Sequence, residues 1–332
     1  MKVLHKTLKK LTIGEAQTHL DLTVLPLYGG RSERAADYLT LADAVGSGLA
    51  SVREVSEGGS VPDLLFDNRA DLPVLVIDGE ELVGAKQNRT VNLTVLVPAK
   101  SEISIPVSCV EAGRWNYRTR EFEVSDRAHF SRGRAAKVAS VSGSLRHRGS
   151  RRSDQGRVWN DIAYAAQNLS AQSPTQAMGA IFDRHRHTLE DYVAAFEPKD
   201  GQIGAVFAVG REISGFDLFA HASTLRVMLP KLVRSYGVEA LDRHRDGGRC
   251  RVTERAVGFL RRVTDARSES YPAVGLGTDI RITGDGVVGG GLMHDDRLLH
   301  LAAFRLVGEG ERTAREPGFA TVRNRRRSIS DR

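Results

Sequence analysis

From Leu11 to about Tyr117 the apolar residues recur in short strand-like runs, and this constrains the fold more than any other feature of the chain. "HLDLTVLPLY" alternates loosely, "LPVLVIDG" is a continuous apolar run closed by an Asp-Gly turn signal, and "TVNLTVLVPAKSEISIPVSCV" holds two period-2 segments around Pro98-Ala99-Lys100. Those two segments predict a hairpin. In its second arm Ile103, Ile105, Val107 and Cys109 share one face, and Glu102, Ser104, Pro106 and Ser108 share the other. "LTLADAVGSGLASVREVS" reads as a short helix or turn followed by a strand.

Beyond a Ser/Gly/Arg stretch the period changes. "VWNDIAYAAQNLSAQSPTQAMGAIFDRHRHTLEDYVAAF" predicts two or three helices, with Pro174 at a helix start and Glu197-Pro198 as a stop. "QIGAVFAVG" reads as a buried strand and is followed by "REISGFDLF". A helix from about Ala222 to Tyr236 closes at Gly237, and another covers roughly Val252 to Ala266. The chain then returns to strands, with Asp295-Asp296 as a hairpin turn. Strand-rich ends around a helical middle predict an α+β fold. Its sheet is mainly antiparallel and sandwich-like, and the last strands complete what the first third begins. The expected organisation is one domain over 1–308: β-rich 11–117, a basic disordered loop at about 140–157, helices in 158–266 and strands in 273–306. A disordered basic tail, 309–332, follows.

With 332 residues and 41% hydrophobic content the chain is long and apolar enough for a substantial core. No run approaches the roughly 20 apolar residues that cross a bilayer, and the first residues lack a secretory apolar core, so a cytoplasmic protein without membrane partners is expected. Two cysteines, Cys109 and Cys250, fit neither a disulfide framework nor a zinc site. The formal charge of +7 would ordinarily suggest nucleic acid. Its location weakens that inference. Residues 144–157 hold five arginines against one aspartate, and residues 309–332 hold seven against four acids, which accounts for the whole excess. Both segments read as solvated flexible charge, or as arms that contact nucleic acid.

Chemistry concentrates in "EELVGAKQNR", which leaves the core after Asp78-Gly79 as a polar edge strand or loop. Glu80, Glu81, Lys86, Gln87, Asn88 and Arg89 supply carboxylate, ammonium, amide and guanidinium groups suited to phosphate or ribose, and Gly84 permits close backbone approach. The alternative is a solvated loop whose charges pair with one another. A second cluster, "SCVEAGRWNYR", ends the hairpin's other arm, so strand pairing brings residues 86–92 beside 108–115. Asn92, Glu111, Arg114 and Trp115 then join the same lip. Here the alternative is a buried Trp that caps the sheet, with Glu111 and Arg114 as an ion pair.

Other candidates are weaker. Cys109 falls on the apolar face and reads as inert, and Cys250 has no neighbouring base. His185 and His187 diverge on a helix, and His294 with His300 lacks a third ligand, so no metal site is expected. The glycine-rich "GLGTDIRITGDGVVGGG" does not lead from a strand into a helix. Asp217, in "SGFDLF", lies beyond a buried strand, where sites often form.

"PVLVIDGEELVGAKQNRTVNLTVLVPAKSEISIPVSCVEAGRW", with "HLAAF" near the C-terminus, resembles the bacterial and archaeal ARG-and-rhodanese-phosphatase-superfamily-associated protein domain family. The resemblance implies a place in ADP-ribose or NAD-derived nucleotide handling, without an established activity or cofactor. Two readings follow. One is a phosphorylated or ADP-ribose-like ligand at the lip, by binding alone or by hydrolysis with Glu80 or Glu111 as general base. The other is a non-catalytic scaffold whose arginine segments contact nucleic acid.

Overall fold

The structure, a computed structural model, describes residues 2–29, 35–242 and 251–306. Its largest element is a nine-stranded antiparallel sheet. The order is Thr12–Ile13, Leu22–Tyr28, Gly204–Val209, Glu212–Phe219, Arg297–Arg305, Val287–His294, Thr278–Gly284 and Arg267–Pro272, with Gln17–His19 also on Leu22–Tyr28. The last strands therefore do join the first third, but through Leu22–Tyr28 and the intervening hairpin 204–219. The other early strands build two smaller sheets. One runs Phe122–Ala128, Glu80–Gly84, Arg89–Val91, Ser101–Cys109, Asp63–Asn68 and Ala50–Glu54; the other runs Val95–Val97, Val74–Val76 and Leu39–Thr40. Only the Leu39–Thr40 pairing is parallel among the described residues. The architecture is α+β with antiparallel sheets dominant.

Burial explains the long apolar runs. In Gly204–Val209, Val206 and Ala208 pack with Leu4, Leu8, Ala256 and Phe259 of the helices Lys2–Lys9 and Val252–Asp265. Ala205, Phe207 and Val209 face the opposite way, toward Leu225, Leu232 and Tyr236 of helix Ala222–Leu241. A strand covered on both faces has no position left for polar alternation. The small sheets enclose a third core around Val52, Phe66, Val76, Val91, Val107 and Phe122. Helix Ser131–Arg148 stands between them, giving Val141 and Leu145 to this core and Ala135 and Val138 to the core under the large sheet.

Several expectations need correction. The hairpin of 90–97 with 101–109 does not form as a whole: Val107–Cys109 pairs with Arg89–Val91, but Ser101–Pro106 pairs with Asp63–Asn68, and Val95–Val97 departs to Val74–Val76. The chain bends at Asn92–Thr94, so one period-2 run serves two sheets. The face alternation holds at Glu102 and Ser104, which are exposed, and ends at Pro106 and Ser108, which are buried. Helix Gln155–Asn168 covers that end, where Cys109 N donates to Gln155 Oε1. The basic segment 140–157 is ordered. It is the end of helix Ser131–Arg148, a link, and the start of helix Gln155–Asn168, whose N-cap Asp154 accepts from Arg157 N. Arg146 pairs with Glu269, and Arg151 donates to the Pro272 carbonyl. Gly237 lies inside helix Ala222–Leu241 beneath Leu189, because that face is too close-packed for a side chain. Pro174 sits in a turn, and the next helix starts at Gly179. The tail 309–332 and Cys250 lie outside the described residues.

Candidate functional site

The crowded segment begins as an interior strand and not as an edge or loop. Glu80–Gly84 runs between Phe122–Ala128 and Arg89–Val91, so its polar groups must find partners inside the fold. Glu80 is 2% exposed; its Oε1 accepts from Lys231 Nζ at 2.7 Å and its Oε2 from Ile77 N at 2.9 Å. Glu81 is fully buried with Arg127 Nε 3.2 Å away. Burial pushes its carboxyl up to about 7 against the pull of Arg127. Gly84 takes φ 128°, and a β-carbon there would stand 2.5 Å from Thr119 Oγ1, so it is the chain's own Thr119 that comes close to this backbone.

The two corners meet. Arg89, Thr90 and Val91 lie opposite Cys109, Ser108 and Val107. Val110 N donates to Asn88 O at 3.0 Å, Asn88 N to Glu111 Oε2 at 3.2 Å, and Gln87 Nε2 to Glu111 O. Glu111 Oε2 also accepts from Arg114 Nε at 2.9 Å, and Oε1 from Thr175 Oγ1 at 2.7 Å. Burial pushes the Glu111 carboxyl up, but the bonds from Arg114, Thr175 and Asn88 N outweigh it and hold the group below its ordinary value. Arg114 is held as firmly: Nη1 donates to Ala85 O at 2.7 Å and Nη2 to Asn88 Oδ1 at 3.0 Å. Asn92 accepts from Ser108 Oγ at 2.6 Å and donates to Arg151 O at 3.3 Å. Gln87, Asn88, Glu111 and Arg114 thus hold one another and the neighbouring backbone in a hydrogen-bonded frame.

Two aromatic rings lie at the frame's surface. Trp115 and Tyr117 are 42% and 49% exposed, and Lys86 Nζ stands 5.5 Å from the centroid of the first and 5.0 Å from that of the second. Arg89 Cζ lies 5.4 Å from the centroid of Trp115. Arg89 itself is wholly buried, donating from Nη1 to Gln87 Oε1 at 2.7 Å, and burial lowers its pKa.

A second polar cluster, missed by the sequence reading apart from Asp217 and His300, lies between the sheets. Asp217 accepts from Arg134 Nη2 at 2.7 Å, Arg134 Nη1 at 3.1 Å and Tyr236 Oη at 3.2 Å, with His300 Nε2 at 3.3 Å. Arg134 Nε and Lys137 Nζ reach Asp78 at 3.4 and 3.0 Å, and His300 Nδ1 meets Thr94 Oγ1 at 2.7 Å. Burial raises the Asp217 carboxyl, yet Arg134 and His300 bring it down to about 2. Two buried acids face two buried bases. A charge-balanced array of this kind joins the elements that carry it, and removing one member strands its partner. Its sequence signal was faint: Arg134 and Lys137 sit three apart among Ala135, Ala136 and Val138.

The remaining candidates stay apart. His294 lies 3.4 Å from Asp295 while His300 points to Asp217, so they do not converge. Among the described residues no group of three His, Cys, Asp or Glu side chains is arranged for a metal ion, and no helix is long and apolar enough to cross a membrane. Cys109 is 1% exposed, and burial pushes its thiol up to about 11. A shallow open cavity lined by Arg127, Phe182, Asp183 and Arg234 includes none of residues 86–92 or 108–117.

The profile of the ARG and Rhodanese-Phosphatase-superfamily-associated Protein domain matches residues 10–304. The chain belongs to this family. The family's span takes in both corners, the aromatic surface and the buried ionic cluster, and ends before the arginine-rich tail. Comparison with curated proteins and with solved structures found no match.

Proposed function

We propose that the chain binds a nucleotide-type ligand, an aromatic base joined to a phosphate, at the lip formed by Lys86, Trp115 and Tyr117. The observation that carries this reading is the ammonium of Lys86 within 5.5 Å of the centroids of two exposed aromatic rings. Each ring offers a face to a base, and stacking of that kind is worth about 1–3 kcal/mol per base. Lys86 adds a positive charge for the phosphate. Glu111 and Arg114 act as positioning residues beneath the rings, and Glu80 ties the strand to Lys231. Neither carboxylate is assigned a proton-transfer step: Glu111 is held ionised by its partners, and Glu80 is engaged at both oxygens. The place in ADP-ribose or NAD-derived nucleotide handling that the family resemblance implies makes ADP-ribose the first ligand to try.

The test is a fluorescence titration of the full chain carrying Trp159→Phe, so that Trp115 is the reporter. ADP-ribose or AMP should quench it saturably. Trp115→Ala, read by calorimetry, and Lys86→Ala should each weaken binding at least about tenfold, or 1.4 kcal/mol, with an unchanged melting temperature. Absence of saturable binding at millimolar ligand, or affinity untouched by both substitutions, would overturn the reading.

A further inference from the structure

Two charged side chains lie under the same lip with hydrogen-bonding capacity unused. Glu54, at the end of strand Ala50–Glu54, is 5% exposed, and neither carboxylate oxygen accepts a hydrogen bond. Arg89 is wholly buried, and its Nε and Nη2 donate none. The pair is loose, with Nη2 and Oε1 3.6 Å apart. Buried polar atoms are ordinarily satisfied, so four orphans at one place mark a site that expects a partner.

The Ser56–Gly59 turn lies against Glu54. A β-carbon on Gly59 would stand 3.2 Å from Trp115 Cζ2, 3.2 Å from Lys86 Cδ and 3.3 Å from Glu54 Oε2, so the indole, the lysine stem and the carboxylate converge on this backbone. Gly59 takes φ +75°, a conformation that disfavours any side chain, and its N–H closes a turn onto Ser56 O at 2.9 Å. Tyr117 Oη fastens the turn by donating to Glu57 O at 3.3 Å.

We propose that Glu54 and Arg89 are the floor of the lip's ligand site. Glu54 recognises the vicinal hydroxyls of a ribose, and the Ser56–Gly59 turn moves aside with Trp115 to admit it. This rests on the lip reading above and narrows its ligand to ribonucleotides. An ionised carboxylate only accepts hydrogen bonds, and its two oxygens match two neighbouring O–H groups. It would repel a phosphate, which belongs instead with Lys86, whereas the base belongs on the indole. The sugar is the part left for Glu54. The logic is that of acidic residues which hold ribose hydroxyls in dinucleotide sites, reached here on a different fold from orphaned atoms.

The experiment compares AMP, 2′-deoxy-AMP and inorganic phosphate on the full chain with Trp115 as reporter. AMP should bind at least about tenfold tighter than 2′-deoxy-AMP. Glu54→Gln should bring the two within about twofold of each other while leaving phosphate affinity unchanged. Equal binding of the two nucleotides to the parent chain would overturn the assignment of Glu54 and leave the lip standing. Failure of both to bind would overturn the lip and this inference together. If Glu54→Gln does not fold, the ratio on the parent chain still decides, and a ratio that survives Glu54→Gln also refutes the assignment.

Discussion

Replacing Glu81 by glutamine removes a titrating group from an interior strand while keeping its size and shape. In the fold its carboxyl is raised from 4.5 to about 7, chiefly by burial, with Arg127 opposing. A raised carboxyl pKa means that the folded state prefers the neutral form. The associated stability is fully present below the ordinary carboxylate range and is lost as pH rises through 7. Between about pH 5 and about pH 8 the parent chain should lose roughly 2–3 kcal/mol relative to Glu81→Gln, from 1.36 kcal/mol per pKa unit. Arg127 keeps Asp126 and Asp183 as partners in the variant, so its own charge is not stranded. Urea unfolding followed by circular dichroism at the two pH values measures the difference directly. Parallel pH profiles for the two proteins, or a parent chain that gains stability relative to the variant on going alkaline, would refute the reasoning.

Asp217→Ala should destabilise by about 3–5 kcal/mol, because it leaves Arg134 buried without its closest acid; a denaturation midpoint near that of the parent would contradict this. The Asp217 carboxyl is held down at about 2, so its contribution is present above about pH 4 and fades as pH falls toward 2, which Asp217→Asn should flatten in an acid titration. Cys109, whose thiol is raised to about 11, should react with iodoacetamide at pH 8 far more slowly in the native protein than in urea, as peptide mapping by mass spectrometry would report. Equal rates would show that the thiol is accessible.

Local pattern disclosed the element types but not their partners. The strand runs around Val76, Val91 and Val107, the short helix at Leu41–Gly46 and the turn at Asp295-Asp296, whose φ values are 47° and 54°, follow from residues close in sequence. The bend at Asn92–Thr94 was hidden because Val95–Val97 has the same alternation whichever sheet receives it. The arginines of 144–157 looked solvated for a similar reason: charge says nothing about whether Glu269 or the Pro272 carbonyl waits nearby. At the lip, meeting of the corners was legible from antiparallel pairing, as Arg89 opposite Cys109 shows. Glu54 was not. It comes from a strand some 30 residues earlier, and only tertiary packing carries its carboxylate to Arg89.

The place of Leu22–Tyr28 between two short strands and Gly204–Val209 bears on how the chain is made. Its partner Gly204–Val209 follows about 180 residues later. At a ribosomal pace of about 5–20 residues per second, this apolar strand emerges on the order of ten seconds or more before anything can pair with it on that side. Until then its strand partners among the described residues are the short strands Thr12–Ile13 and Gln17–His19. This apolar strand is thus open to wrong encounters during synthesis, and a holding chaperone would act on it there.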